Sequence, residues 1–303
     1  MSKSAAQIRL SDRDINFVRS ETLKGQVSMI RKQRLAVSIF AIGMIALGFL
    51  SVIFRDFAYG WQPVPAFHPG REALAVLCGI FMIAASVSLL IRSTHTIAAR
   101  AMFVFLFAWM SLKIPAVFVA PQIVGVWLGL GELGMLFAGG WVLFADASDS
   151  DDSAFVSRLS GKRGIRIAQI IFGLAVIPVG LSHVVYLKIT TSLVPSWLPF
   201  RTELAAITGV AQIACGLGIL FAILPRAAAY IETGLLALFG FLVWGPDTWI
   251  AATPKMAGAP TGPRFPLTAF LITWVIGASA LLIARNSARE SSSVNRLARN
   301  PAE

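Results

Sequence analysis

The chain has 303 residues, of which 56% are hydrophobic and 14% charged, and a formal net charge of +11. A soluble domain carries about a quarter charged residues, so an ordinary soluble protein of this length is excluded. The basic residues sit in the polar stretches between long apolar runs, which excludes nucleic acid as the partner and leaves the lipid bilayer.

Residues 1–34 form a basic arm with eight Lys/Arg, and Ile15, Val18, Thr22 and Ile30 lie near one helical face. The arm reads as a short surface helix or as a solvated tail. Eight apolar runs follow, at 35–54, 73–91, 98–118, 123–145, 167–187, 204–224, 227–244 and 265–284. Each approaches the roughly 20 helical residues that cross a hydrocarbon layer. Their continuity, without polar alternation, specifies helices rather than a membrane barrel. The first run is expected to stay in the bilayer as a signal anchor. A polar linker at 146–164 opens on Asp146, Asp149, Asp151 and Asp152 and ends in a basic cluster, and 286–303 is a polar, basic tail. With the N-terminus cytoplasmic, 19 of the 26 Lys/Arg fall on that side, so both termini are expected in the cytoplasm.

One stretch occurs twice. Residues 64–71 (VPAFHPGR) return as 194–201 (VPSWLPFR), and over 64–79 against 194–209 seven of sixteen positions are identical. Chance in an apolar background gives about one or two, so an internal duplication is expected. The same offset aligns Gly43 with Gly173 and Ile53 with His183. The expected fold is all-α and membrane-integral: eight transmembrane helices as two parallel four-helix repeats, 35–145 and 165–285. An even number of spans per unit gives both the same orientation, about an axis along the membrane normal. Gly125-xxx-Gly129, Gly134-xxx-Ala138 and Ala214-xxx-Gly218 are the expected close-packing motifs.

Prolines lack a backbone donor and bias the preceding residue toward extended structure. Pro65/Pro69 and Pro195/Pro199 therefore predict stiff, non-helical connections ahead of spans two and six. Phe67 and Trp197 occupy matching positions in them, and Arg71 and Arg201 follow at the start of the next spans. These groups read either as a mouth for an amphiphilic or anionic ligand or as an interfacial belt with snorkelling arginines. Lys113-Ile114-Pro115 and Trp244-Gly245-Pro246 predict a second shared stop, ending spans three and seven.

Ionisable groups at membrane depth are expensive and mark interior sites. His183 lies near the end of span five, beneath the Trp197 loop. His68 and His95 are expected on opposite sides of the membrane, so no histidine pair for haem forms. Glu132, between Gly131 and Gly134, reads as a group on a glycine-lined pathway, and Glu232 as a group near the cytoplasmic surface. Cys78 and Cys215 have no CxxC partner and read as packing residues. The candidate ligand-binding set is His183, Pro195, Trp197, Pro199, Arg201, Trp244 and Glu132. The sequence presents no P-loop, no dinucleotide fingerprint, no nucleophile–base set and no zinc cluster. No cofactor ligand, metal site or reaction is evident.

The second half resembles the DoxX-like family of small four-helix bacterial membrane proteins. The resemblance rests on Phe172-Gly173-Leu174-Ala175, Gly180-Leu181-Ser182-His183, Val194-Pro195-Ser196-Trp197-Leu198-Pro199, Gly216-Leu217-Gly218, Leu224-Pro225-Arg226 and Val243-Trp244-Gly245-Pro246. It covers 165–247 and, more weakly, 43–115. It implies a multi-pass protein of the bacterial cytoplasmic (inner) membrane, in a quinone-linked redox or stress-response setting with a membrane or peripheral partner protein. The functional expectation is an accessory component that binds a lipophilic ligand such as a quinone. The alternatives are a transporter of a small or amphiphilic solute with Glu132 in its path, or a quinone-linked oxidoreductase subunit.

Overall fold

The computed structural model describes residues 34–58, 60–148, 153–246 and 264–299, with side chains as far as 287. The expected surface helix of the arm, the acidic core of the linker and the connection after span seven lie outside the described residues. The helices are α1 (Arg34–Phe54), α2 (Arg71–Leu90), α3 (His95–Val119), α4 (Val124–Ala147), α5 (Ala154–Leu159), α6 (Gly161–Val185), α7 (Leu187–Leu193), α8 (Arg201–Leu220), α9 (Pro225–Phe239) and α10 (Arg264–Arg299). A π-helical segment, Gly240–Trp244, continues α9. No strand occurs among the described residues. Eight of the helices are long and apolar enough to cross a membrane, α9 with its π segment counted as one span. The protein is thus all-α and built as a multi-pass membrane protein.

Several boundaries differ from expectation. Pro115 does not stop α3, which runs on to Val119; losing one N–H kinks or weakens a helix but does not end it when flanking turns stay bonded. Helical structure likewise carries on through Gly245 and Pro246. The linker contains the short helix α5, capped by the Ser153 hydroxyl accepting from the Val156 N–H, and α6 begins at Gly161. As far as Arg299 the polar tail is a helical continuation of α10.

The core lies around α4 and α10, whose apolar faces are the most buried of the eight. Where they cross, a Cβ on Gly139 would stand 2.1 Å from Ser279 Oγ and 3.1 Å from Ser279 Cα. At α6–α8, Gly180 faces Gly209 and Gly173 faces Gly216, each so close that an added Cβ would lie 2.5–2.8 Å from the partner's carbonyl oxygen. These pairs are seven residues apart on each helix, so they recur on one face every two turns of an antiparallel pair. The expected small-xxx-small motifs play lesser parts: Gly125 meets Tyr186, and Gly134 meets Ala175. At the end of α6 nearest the linker, Arg166 donates to the Ile219 and Leu220 carbonyls (3.2 and 2.6 Å), capping the C-terminus of α8.

The two halves bury corresponding positions. Those of α2 are Ala75, Gly79, Met82, Ala85, Ser86 and Leu89; those of α8 are Ala205, Gly209, Gln212, Cys215, Gly216 and Ile219, each 130 residues later. Ala98, Ala99, Met102 and Leu106 of α3 likewise correspond to Ala228, Ala229, Glu232 and Leu236 of α9. The offset of 130 fails in α1. Gly79 is met by Gly48, Ser51 and Val52, whereas Gly209 is met by Gly180, His183 and Val184, 132 residues later. The Gly43–Gly173 alignment is therefore two residues out, because the first connection is longer. Ser51 meets Gly79 as His183 meets Gly209, and Ile53 is not among the nearest neighbours of Gly79.

Candidate functional site

Both proline connections are non-helical and share a turn, with His68 N–H donating to the Pro65 carbonyl and Leu198 N–H to the Pro195 carbonyl, each at 3.1 Å. The arginine that follows pins each connection from beneath. Arg201 donates to the carbonyls of Val194 (3.0 Å) and Thr191 (3.0 Å). Arg71 donates to the carbonyls of Val64 and Pro65. The arginine N–H groups thus satisfy the Val64 and Val194 carbonyls and give a second donor to the Pro65 and Thr191 carbonyls, which also accept from the His68 and Val194 N–H groups. The first half adds an acid: Asp56 accepts from Arg71 (2.6 Å) and from Arg264 at the start of α10 (2.8 Å). Burial alone would raise the Asp56 pKa, but hydrogen bonds from Arg264, the Phe57 N–H and Arg71 outweigh it and hold it below the ordinary 3.8.

Asp56→Asn is therefore expected to lower stability by about 1–3 kcal/mol, the range for charged hydrogen bonds discounted for partial exposure. The check is thermal unfolding in mild detergent. Because the folded pKa is the lower one, the contribution is complete above the unfolded value of 3.8 and disappears as pH falls through the folded value. The difference between wild type and Asp56→Asn should shrink below that pH and stay flat above it.

Beneath the second connection lies a cavity of about 210 Å³. His183 of α6, Thr190 of α7, Pro195, Thr208 of α8, Phe239 of α9 and Trp244 of the π segment form its walls with several leucines and valines. The lining is almost wholly apolar. His183 packs edge-on to Phe239 (ring centroids 5.3 Å apart), with its Cβ against Gly209. Its buried Nδ1 has no hydrogen-bond partner among the described residues. The π segment widens the last turn of the span and turns Leu242, Val243 and Trp244 into this wall. The corresponding stretch of α3 is regular α-helix.

Of the residues singled out from sequence, the fold brings His183, Pro195 and Trp244 together on this cavity. Trp197 is 70% exposed and Pro199 is exposed, and neither lines the cavity, while Arg201 is engaged by the Val194 and Thr191 carbonyls. Glu132 is elsewhere, on α4, in electrostatic contact with Lys113, which donates to the Gly60 carbonyl. Glu232 is fully buried within the protein and accepts from Gln212 Nε2 at 3.1 Å. Sequence reading missed that pair; the signal was a Gln and a Glu, 20 residues apart, each within an apolar span. Thr208 and Phe239 were also missed, being indistinguishable in sequence from ordinary packing residues.

Residues 172–279, from within α6 to the middle of α10, match the family described as a Domain of unknown function (DUF8561). The match takes in the whole cavity lining and the Gln212–Glu232 pair. No curated protein and no solved structure matches the chain. The DoxX-like resemblance is overturned: the segment that carried it falls largely within the DUF8561 match, and no DoxX-like match accompanies it. Those of its short motifs that are glycine- and alanine-rich, such as Phe172-Gly173-Leu174-Ala175 and Gly216-Leu217-Gly218, are ones that close-packed spans adopt for packing reasons alone.

Proposed function

We propose that this protein is a multi-pass component of a bacterial cytoplasmic membrane that holds a small lipophilic ring compound beneath its second proline connection. One observation carries the reading: an apolar cavity with a single buried, unpartnered histidine nitrogen in its wall. An engineered apolar cavity of roughly 150 Å³ takes up benzene, so one of about 210 Å³ suits a substituted ring. His183 Nδ1 would meet the ligand's hydrogen-bonding group, and the hydrocarbon walls would bind the rest. Quinone head groups belong to this class. The redox and stress-response setting rested on the overturned resemblance and goes with it. Binding is assigned, and no reaction.

We read the architecture as two parallel four-helix units. They account for the shared burial at 130-residue spacing, the two pinned connections, and the crossing of Gly139 with Ser279 at the centre. The excess of Lys/Arg on the opposite side supports an orientation with the proline connections, and so the cavity mouth, outside the cytoplasm.

The test is titration of purified protein in detergent with a short-chain benzoquinone and with a phenol of similar size, read by quenching of Trp244. Thr208→Phe, which fills the cavity, is expected to abolish saturable binding. His183→Leu, which removes one buried hydrogen bond worth about 1.4 kcal/mol, is expected to weaken it roughly tenfold. Binding unchanged in both variants, or none in the wild type, would sink the proposal.

A further inference from the structure

We propose that Glu232 is a proton-binding site in the interior of the bundle, held at neutral pH as an uncharged acid in a two-bond ring with the Gln212 amide. Both residues are fully buried, on α9 and α8. Gln212 Nε2 donates to Glu232 Oε1 at 3.1 Å, while Gln212 Oε1 and Glu232 Oε2 have no donor among the described residues. An amide that donates to a carboxyl through the N–H syn to its carbonyl brings its own oxygen beside the second carboxyl oxygen, and the proposed ring takes this form. As a carboxylate, the pair would set two electron-rich oxygens side by side and bury a bare charge, each costing several kcal/mol. One proton on Oε2 removes both penalties: it donates to Gln212 Oε1, and each unpartnered atom gains a bond.

The surroundings leave the charge to the proton. Cys215, on α8, is the titratable group in contact with Glu232. On α10 the level is fixed by Leu236, whose Cβ lies at Gly277, and residues 278–282 beyond it carry no titratable side chain. Arg226 lies six residues down α9, about 9 Å along the axis, with its guanidinium over the Tyr230 ring. A hard cation wants about six oxygen ligands, and this pair offers two free ones. In the first half, Met82 and Met102 occupy the corresponding buried positions, so the acid–amide ring belongs to the second half alone. Thr208 and Leu235 of the cavity wall lie one turn from Gln212 and Glu232, which sets the proton just under the cavity floor.

Infrared spectroscopy of the full-length protein in lipid bilayers, with isotope-labelled glutamate, reads the carboxyl directly. At neutral pH the wild type is expected to show a protonated-carboxyl carbonyl band that Glu232→Gln removes entirely. That substitution preserves a paired ring, amide to amide, and so keeps the fold. Gln212→Met, which restores the first half's residue, or the gentler Gln212→Asn, is expected to shift the band to higher frequency by taking away its acceptor. Absence of any Glu232-dependent band in the wild type means an ionised carboxylate and overturns the proposal. A Glu232-dependent band that neither Gln212 variant moves overturns the ring. Ligand titration is independent of this measurement, so the cavity reading and the proton site stand or fall separately.

Discussion

Gly139→Val is expected to destabilise the protein by about 3 kcal/mol, the upper end of the range for overpacking a close contact. The Cβ it introduces would lie 2.1 Å from Ser279 Oγ, 2.6 Å from Ser279 Cβ and 3.1 Å from its Cα. Rotating the serine relieves the first clash but not the other two, so α4 and α10 must separate. These two helices hold the centre of the fold, where Leu136, Ala138, Val275 and Ala280 are all fully buried. The stringent form of the test is an exchange. Ser279 donates its hydroxyl to the Val275 carbonyl one turn earlier on its own helix (2.9 Å), and a serine at 139 could do the same to Met135. Gly139→Ser alone should be strongly destabilising, and Gly139→Ser with Ser279→Gly should recover most of the loss. Thermal unfolding of the four proteins in a double-mutant cycle measures the coupling. If the exchange recovers nothing, the contact between Gly139 and Ser279 is not interchangeable between the two helices. If Gly139→Ser alone is silent, the contact is looser than described.

Some of this architecture was legible in the sequence because it depends on chemistry local to the chain. A span of about 20 apolar residues has few alternatives to a membrane helix, and a pair of prolines cannot hold a helical turn in the 65–69 or 195–199 segment. Tertiary contacts were less legible. Pro115 and Pro246 both look like stops in sequence, yet helix runs through each, because whether a proline ends a helix depends on what satisfies the freed carbonyl. Gly173 and Gly180 looked less significant than Gly125 and Gly129, because a close crossing needs glycine on both partners and only the fold names the partner. The two-residue shift that puts Ser51 opposite Gly79 is invisible to an ungapped alignment anchored on the proline loops. The distance from Glu232 to Arg226 gave no hint of its neighbour, because only the fold brings Gln212 of α8 against it. His183 was recognisable as a buried polar group, but its cavity required the π segment, which no composition rule foretells.

Gly180→Val is expected to cost about 3 kcal/mol in stability as well, and in addition to abolish ligand binding in whatever fraction stays folded. An added Cβ at 180 would stand 2.5 Å from the Gly209 carbonyl oxygen and 2.9 Å from the Ile213 N. Both are backbone atoms, so no side-chain rotation relieves the contact and α6 must move away from α8. Small residues at such a crossing let two backbones approach in lipid, where there is no hydrophobic drive to compensate for lost packing. His183 lies three residues further along α6, its Cβ against Gly209, so the same displacement carries the imidazole out of the cavity wall. Gly173→Val supplies the comparison. Its Cβ would meet the Gly216 carbonyl oxygen at 2.7 Å and the Leu220 N at 2.8 Å, but the site is seven residues, about 10 Å, further from the cavity. Both variants should lower the unfolding midpoint by similar amounts, while only Gly180→Val should lose benzoquinone or phenol binding by the protein that remains folded. Equal loss of binding in the two would mean that the whole α6–α8 face, rather than the register of His183 against Gly209, sets the cavity. Full retention of binding in Gly180→Val would remove His183 from the ligand's surroundings.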